Sequence, residues 1–464
     1  MNMLTCHLER GNGIPLYEQL YEYIKKEIME GKISHHTKLP SKRKLSDFLN
    51  ISQNTVEQAY DQLVAEGFIE SRPRRGYFVL AYEDLEYVQL EKTTQSKPEV
   101  NEHIRYDFHP SRIDTEHFPF TKWRKYAKRT IDNENQHLLL MGDPQGELIL
   151  REEIATYLYQ ARGVQCSPDD IILGAGIETL LQQFILLMGS ETTYGVENPG
   201  YYVMSRMLKH YPNKAYPLEV DDRGVKVDEL ARTPIDIMYV TPSRQFPFGS
   251  VLSANRRIKL LNWAADKDNR YIIEDDYDSE FRYTGKSIPS LQSMDQNEKV
   301  VYLGTFSKSL IPSIRISYMV LPKQLTTLYK EKLSYFQCSV SRIDQHILAL
   351  FMQEGDFERH LNRMRNVYRR KMEITLETLK DYNNVVEVTG DFSGFHVVLR
   401  VRNGLSEEEL VSKAAKAQLK IYPLSSYVME KQTGDYPIIL LGFAGIREEE
   451  LQEAIHLLMK CWAE

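Results

Sequence analysis

Apolar residues in the first eighty positions keep a helical spacing. In "PLYEQLYEYIKKEIMEGKI", Leu16, Leu20, Ile24 and Ile28 fall four apart on one face. Pro15 suits the start of that helix and Gly31 its end. "PSKRKLSDFLN" follows with Leu45, Phe48 and Leu49 on one side. After a break at "IS", "QNTVEQAYDQLVAEG" places Val56, Ala59, Tyr60 and Leu63 on one stripe and stops at Gly67. Two short helices across a tight turn predict a helix-turn-helix. "GFIES" and "GYFVL", joined by the basic "RPRRG", predict a two-stranded hairpin, which beside a helix-turn-helix is a wing.

The pattern then lapses. Residues 81–105 are charged and hold no sustained apolar period, so a flexible linker is expected there. From 106 to 464, apolar runs of four to six residues alternate with helical patterns: "DIILGAG" then "IETLLQQFILLM", "IDIMYVTPS", "RRIKLLNWAADKD" then "RYIIEDDYD", and "KVVYLGTFSK". That alternation predicts an α/β body around a buried, mostly parallel sheet. From about residue 375, "GFHVVLRV", "EELVSKAAKAQLKIYPL" and "PIILLGFAGI" suit a smaller α+β subdomain. The expected organisation is therefore 10–80, a winged helix-turn-helix; 81–105, a linker; and 106–464, an α/β body ending in the smaller subdomain.

Composition narrows the class. The 464 residues are 42% hydrophobic and 27% charged, ordinary for a globular protein of several cores. No apolar run is long enough to span a bilayer, and "MNMLTCHLERGNG" lacks the apolar stretch of a secretory signal. Cys6, Cys166, Cys338 and Cys461 are scattered, without a CxxC pair or a histidine cluster, so neither a disulfide framework nor a zinc site is expected and a cytoplasmic protein is. The net charge of −7 is uneven: residues 1–80 carry +1 and the rest −8, which assigns any nucleic-acid contact to the N-terminus.

Candidate chemistry collects where strands are expected to end, the edge at which open α/β sheets bind ligands. "IIEDDYD" ends in Asp275, Asp276, Tyr277 and Asp278. "YLGTFSK" ends in Thr305, Ser307 and Lys308, with Arg315 seven residues on. "LGAG" runs through Gly174 and Gly176 straight into a helix. A helix start, hydroxyls and an arginine hold a phosphate. A lysine beside it can form a Schiff base with an aldehyde, and a buried carboxylate can pair with a pyridinium nitrogen. Together these parts describe a pocket for pyridoxal phosphate (PLP). Each alone has a plainer reading: a solvated lysine, a polar strand end, a turn.

In this order the motifs are specific. "LPSKRKLSDFLNISQNTVEQAYDQLVAEGFIESRPRRGYFV" resembles a GntR-type DNA reader. "GDPQGELILREEIATYLYQARGV", "VENPGYY", "VTPSRQFPFGS", "IIEDDYDSEFRY" and "GTFSKSLIPSIR" resemble a fold-type I aminotransferase. The whole chain resembles the MocR subfamily of GntR-type regulators, in which a winged helix-turn-helix is fused to an aminotransferase-like, PLP-binding domain. The resemblance implies that Lys308 forms the internal aldimine, Asp275 pairs with the pyridinium nitrogen and Tyr277 bonds the ring's O3′. Tyr201 stacks on the ring, Gln245 also reaches O3′, and Thr305, Ser307, Arg315, Gly176 and Ile177 take the phosphate. Asp276 and Asp278 are read as polar strand-end groups.

In the reader, Ser52, Gln53, Asn54 and Thr55 open the second helix of the motif, whose first residues face base edges. Ser41 and Arg43 begin the preceding helix, suited to phosphate or a guanine, and Arg72, Arg74 and Arg75 lie in the wing, suited to phosphates or the minor groove. Ordinary helix caps and a solvated basic turn are the alternative. The resemblance further implies a head-to-tail, domain-swapped homodimer on a double-stranded DNA operator.

Several positions depart from the family. Arg244 stands where histidine is usual, Met141 where a tyrosine precedes "GDPQG", and Gln53 where arginine is common. Leu440 and Leu441 occupy the place where transaminases carry a carboxylate-binding arginine. Val203 and Ser426 align with the arginines of amino-acid-sensing members, and Arg206 and Arg244 are candidate substitutes, with a surface or structural arginine the plainer reading for Arg206. The expected function is a PLP-dependent regulator that senses an amine, an amino acid or PLP itself through Lys308. The rival is a working aminotransferase with an appended DNA-binding domain.

Overall fold

The computed structural model describes residues 6, 8–10, 13–80, 104–285, 287–390, 393–429 and 436–463. All but two residues of the expected linker at 81–105 lie outside these. The chain divides into two compact units, residues 1–100 and 101–464.

In the first unit, helices Leu16–Met29, Lys42–Leu49 and Gln53–Ala65 precede the antiparallel strands Ile69–Arg72 and Gly76–Val79. Leu20, Ile24 and Ile28 meet Leu45, Val56, Ala59, Tyr60 and Leu63 in one closed core. Gly31 and Gly67, both at positive φ, end the helices before them. Ser41 and Ser52 cap the two helices of the motif, accepting from the backbone N–H groups of Lys44 and Thr55. One expectation changes. Phe48 is 45% exposed while Leu45 is buried, because in this short helix residue 48 lies at the edge of the stripe and Ser46 turns inward, donating to Arg43 O at 2.9 Å.

The second unit is built on an eight-stranded sheet. Its order is Ile171–Gly174, Ser317–Val320, Val300–Thr305, Tyr271–Asp276, Ile237–Val240, Tyr194–Asn198, Ala215–Asp221, Gly224–Val225. The four strands from 300–305 to 194–198, with 215–221, run parallel. Ser317–Val320 is antiparallel to both its neighbours, a direction reversal hidden from an apolar run whose two faces are both buried. Its start therefore meets the C-terminal ends of the strands beside it, with Ser317 opposite both Thr305 and Gly174.

The long helix Asp356–Lys380 leads into an antiparallel sheet ordered Val386–Thr389, His396–Val401, Ile438–Gly442, Tyr422–Pro423. Residue 375, the expected start of the small subdomain, lies inside that helix. A parallel pair that no local pattern announces joins Tyr106–Asp107 to Leu419–Lys420.

Candidate functional site

The C-terminal ends of the central strands open into a cavity of about 210 Å³. Nine of the ten expected cofactor residues line it: Lys308, Asp275, Tyr277, Tyr201, Thr305, Ser307, Arg315, Gly176 and Ile177. The tenth, Gln245, is buried, and its amide donates to the carbonyls of Pro199, at 2.9 Å, and of Phe246.

Strand alternation selects the carboxylate. Successive side chains point to opposite faces, so of Glu274, Asp275 and Asp276 only the middle one reaches the cavity lining. Glu274 accepts from the N–H groups of Leu291 and Gln292 at 2.7 and 2.8 Å, and Asp276 accepts from Arg162 at 2.7 Å and Tyr302 at 2.5 Å. Both hold structure beneath the site. The Tyr239 hydroxyl donates to one oxygen of Asp275, and the other is buried without a partner. Burial raises the Asp275 carboxyl to about 7, with Tyr239 pulling the other way.

Lys308 sits in the short helix Phe306–Ser309, capped by Thr305, which accepts from the Ser307 N–H at 3.1 Å. Its amine donates to Ser111 O at 2.5 Å and lies 5.7 Å from the centre of the Phe395 ring. Burial lowers this amine to about 7; Asp278 acts against the shift and Arg244 with it. A share of neutral, nucleophilic amine therefore exists near neutral pH.

At the other end, helix Ile177–Met188 starts at Gly176, which has φ 99°. A Cβ there would lie 2.0 Å from the Arg315 guanidinium, so only glycine leaves that approach open. Arg315 pairs with Glu178 at 2.8 Å. Ser317 donates to the Thr305 hydroxyl at 2.9 Å, and the Ser307 hydroxyl is buried without a partner. A helix start, an arginine and two hydroxyls are groups able to hold a phosphate, with the Gly176 N–H here donating to Gly174 O at 2.8 Å. Tyr201 and Phe246, edge to face at 5.9 Å, wall the cavity with Tyr277 and Phe395.

The departures fall in two groups. Met141 is 74% exposed, whereas Leu440 and Leu441 are packed in the core. Arg206 lies over the Tyr202 ring at 4.2 Å, and Arg244 pairs with Asp278 at 3.0 Å in the interior. Asp278 thus has a charged partner beside the site rather than only a place at a strand end. Pro110, Ser111 and Phe395, which also line the cavity, carried no signal, since each lies far in sequence from every motif. Among the described residues no group of His, Cys, Asp or Glu is placed to hold a metal ion, and no helix is long and apolar enough to cross a membrane.

In the first unit, Ser41, Arg43, Ser52, Gln53, Asn54, Arg74 and Arg75 are exposed, with Thr55 and Arg72 half-buried. The Ser52 and Thr55 hydroxyls are 2.8 Å apart, which leaves Gln53 and Asn54 to project. Arg74, at φ 60°, turns the wing, and Arg72 lies on the Phe78 ring.

Residues 16–79 match the model of bacterial regulatory proteins of the gntR family, and residues 111–458 that of class I and II aminotransferases. The chain is 42% identical over 463 residues to the HTH-type transcriptional regulator YdeL of Bacillus subtilis, with 99% of each covered. It is 32% identical to the probable rhizopine catabolism regulatory protein MocR of Rhizobium meliloti (97% of this chain, 94% of that protein). With the pyridoxine biosynthesis transcriptional regulator PdxR of Corynebacterium glutamicum it shares 31% (94% and 93%). The multiple substrate aminotransferase of Thermococcus profundus shares its fold at TM-score 0.70 and 24% identity, over 79% of this chain and 92% of that one. A GntR-type reader joined to an aminotransferase-like body defines a class of fused DNA-binding transcription regulators. Within that class, the chain belongs to the MocR subfamily.

Proposed function

We propose that this regulator holds PLP in the cavity on Lys308 and senses an amine, an amino acid or PLP itself there, changing the DNA affinity of its reader. One observation carries the reading: nine residues from four separated stretches converge on one cavity whose carboxylate oxygen and serine hydroxyl lack partners. Those groups fit PLP. Asp275 would offer its bare oxygen to a ring nitrogen, Tyr277 its hydroxyl to O3′, and Tyr201 a ring face. Gly176, Ile177, Thr305, Ser307 and Arg315 would hold the phosphate, and Arg315 would leave Glu178, its present partner, to do so. PLP brings an aldehyde and an electron-withdrawing ring. Lys308 would supply the amine, kept partly neutral by burial, in a cavity that an effector amine would share.

In the reader, Ser41, Arg43, Arg74 and Arg75 are assigned to the backbone and Ser52, Gln53, Asn54 and Thr55 to the major groove. The assembly we propose is a domain-swapped homodimer in the cytoplasm, with the reader at 10–80, a linker at 81–105 and the PLP-binding body at 106–464. The effector shifts DNA affinity only by binding two states of the protein unequally.

The test is borohydride reduction of the PLP-treated chain, followed by peptide mapping. A PLP adduct on the peptide of Lys308 is expected. No adduct, or one spread over surface lysines, overturns the reading. Release of a keto acid from added amino acids, with pyridoxamine phosphate formed, favours the rival transaminase.

A further inference from the structure

Arg244 occupies a niche at the edge of the cavity. It is 4% exposed. One terminal nitrogen donates to the Tyr277 hydroxyl at 3.1 Å and to Asp278 at 3.0 Å, and the other donates to His396 O at 3.3 Å. The Tyr277 hydroxyl in turn donates to the main-chain carbonyl of Arg244 at 3.2 Å. Two glycines border this guanidinium. Gly394 has φ 77°, and a Cβ there would stand 2.3 Å from the guanidinium carbon; Gly249, at φ 76°, lies on another side. Phe246, two residues after Arg244, and Phe395, beside Gly394, are both cavity walls. Arg244 therefore sits behind three wall residues and bonds one of them directly.

We propose that Arg244 is a positioning residue: it fixes the Tyr277 hydroxyl at the cavity and, with Asp278, sets the electrostatic field at Lys308. This rests on the PLP reading above. A guanidinium that donates to a phenol oxygen makes the phenol a stronger donor; the Tyr277 proton goes to the Arg244 carbonyl, so Arg244 holds the hydroxyl from both sides until a ligand takes that proton over. Arg244 is also a cation without direct contact to the amine of Lys308. The titratable groups acting on Lys308 from the packed elements are Asp278, Arg244, His396 and His109, with Asp275 on the same wall. Burial, then Arg244, holds His396 well below its ordinary value, so it is neutral. Arg244 and Asp278 are thus the opposed charges that tune the site.

The test uses the full chain, loaded with PLP, and reads the pH midpoint at which the visible absorption of lysine-bound PLP changes. Arg244→Met removes the cation, so the midpoint rises, by about one pH unit, over the pH range in which Asp278, raised to about 6 by burial, is ionised. Asp278→Asn leaves the cation alone, so the midpoint falls. Arg244→Lys keeps the charge and returns the midpoint toward that of the wild type. Opposite shifts in the Met and Asn variants support the proposal. Unchanged midpoints overturn it and leave PLP binding standing. If Arg244→Met does not fold, the absence of a downward shift in Asp278→Asn overturns it. No lysine-bound absorption in the wild type overturns the PLP reading and this inference together.

Discussion

In the N-terminal unit, Gln53, Asn54, Arg74 and Arg75 stand exposed on a small core whose interior is closed by Leu20, Val56, Tyr60 and Leu63. In the larger unit the candidate groups lie inward: Lys308 and Asp275 are forced by burial to values near 7, and an oxygen of Asp275 and the hydroxyl of Ser307 have no partner. The reader meets a large polyanion, so solvated side chains on a rigid helix suffice and affinity comes from many weak phosphate contacts. On the proposed reading the cavity meets a small ligand, and its buried polar groups are held in a form that such a ligand would satisfy. The difference teaches where each function is fragile. The reader fails by degrees, while the cavity fails at single atoms.

The comparison breaks most sharply at Lys308. Lys308→Ala is expected to abolish lysine-bound visible absorption and borohydride labelling, with the fold unchanged by circular dichroism. Next, Asp275→Asn is expected to weaken PLP by roughly 10- to 100-fold, the loss of a hydrogen bond to a charged group, read by fluorescence titration. In the reader, Asn54→Ala is expected to cost about 1–3 kcal/mol of discrimination at one base pair, measured against a randomised DNA library. Arg74→Ala or Arg75→Ala is expected to weaken all sequences alike and to lower the slope of log affinity on log salt by about 0.9. Smallest is the cap: Ser52→Ala costs about 1 kcal/mol of stability, seen in urea unfolding of the N-terminal unit.

pH separates the units as well. The Lys308 amine is held near 7 in the fold against an unfolded value near 10.4. The native state therefore resists protonating it, a penalty complete below about pH 7 and relieved as pH rises to about 10. Lys308→Met is thus expected to raise the melting temperature of the unloaded protein more at about pH 6 than at about pH 10. An equal gain at both would mean that the amine is solvated.

The two units also differ in how much their sequences disclosed. The reader was legible almost residue by residue, because its helices, caps and wing are local: Ser41 and Ser52 cap where their spacing implied, and only Phe48 faced the other way. In the body, the strand-end motifs disclosed which residues meet, since strand direction carries them to one edge. What stayed hidden is long-range. Ser111 bonds Lys308 from 197 positions away, Tyr239 anchors Asp275, and Phe395 comes from the small subdomain. The reversed strand Ser317–Val320 was hidden too, because burial on both faces removes any sign of direction. Arg244 was visible as a departure, but its partners Tyr277, Asp278 and His396 exist only in the fold.

The central claim is that the cavity holds PLP on Lys308 as a sensor. The most direct measurement is the visible spectrum of the purified chain with PLP, followed while amines and amino acids are added. The account predicts a lysine-bound absorption that one class of amine shifts stably, without release of a keto acid. Conversion to pyridoxamine phosphate with keto-acid turnover, or no lysine-bound absorption at all, would contradict it.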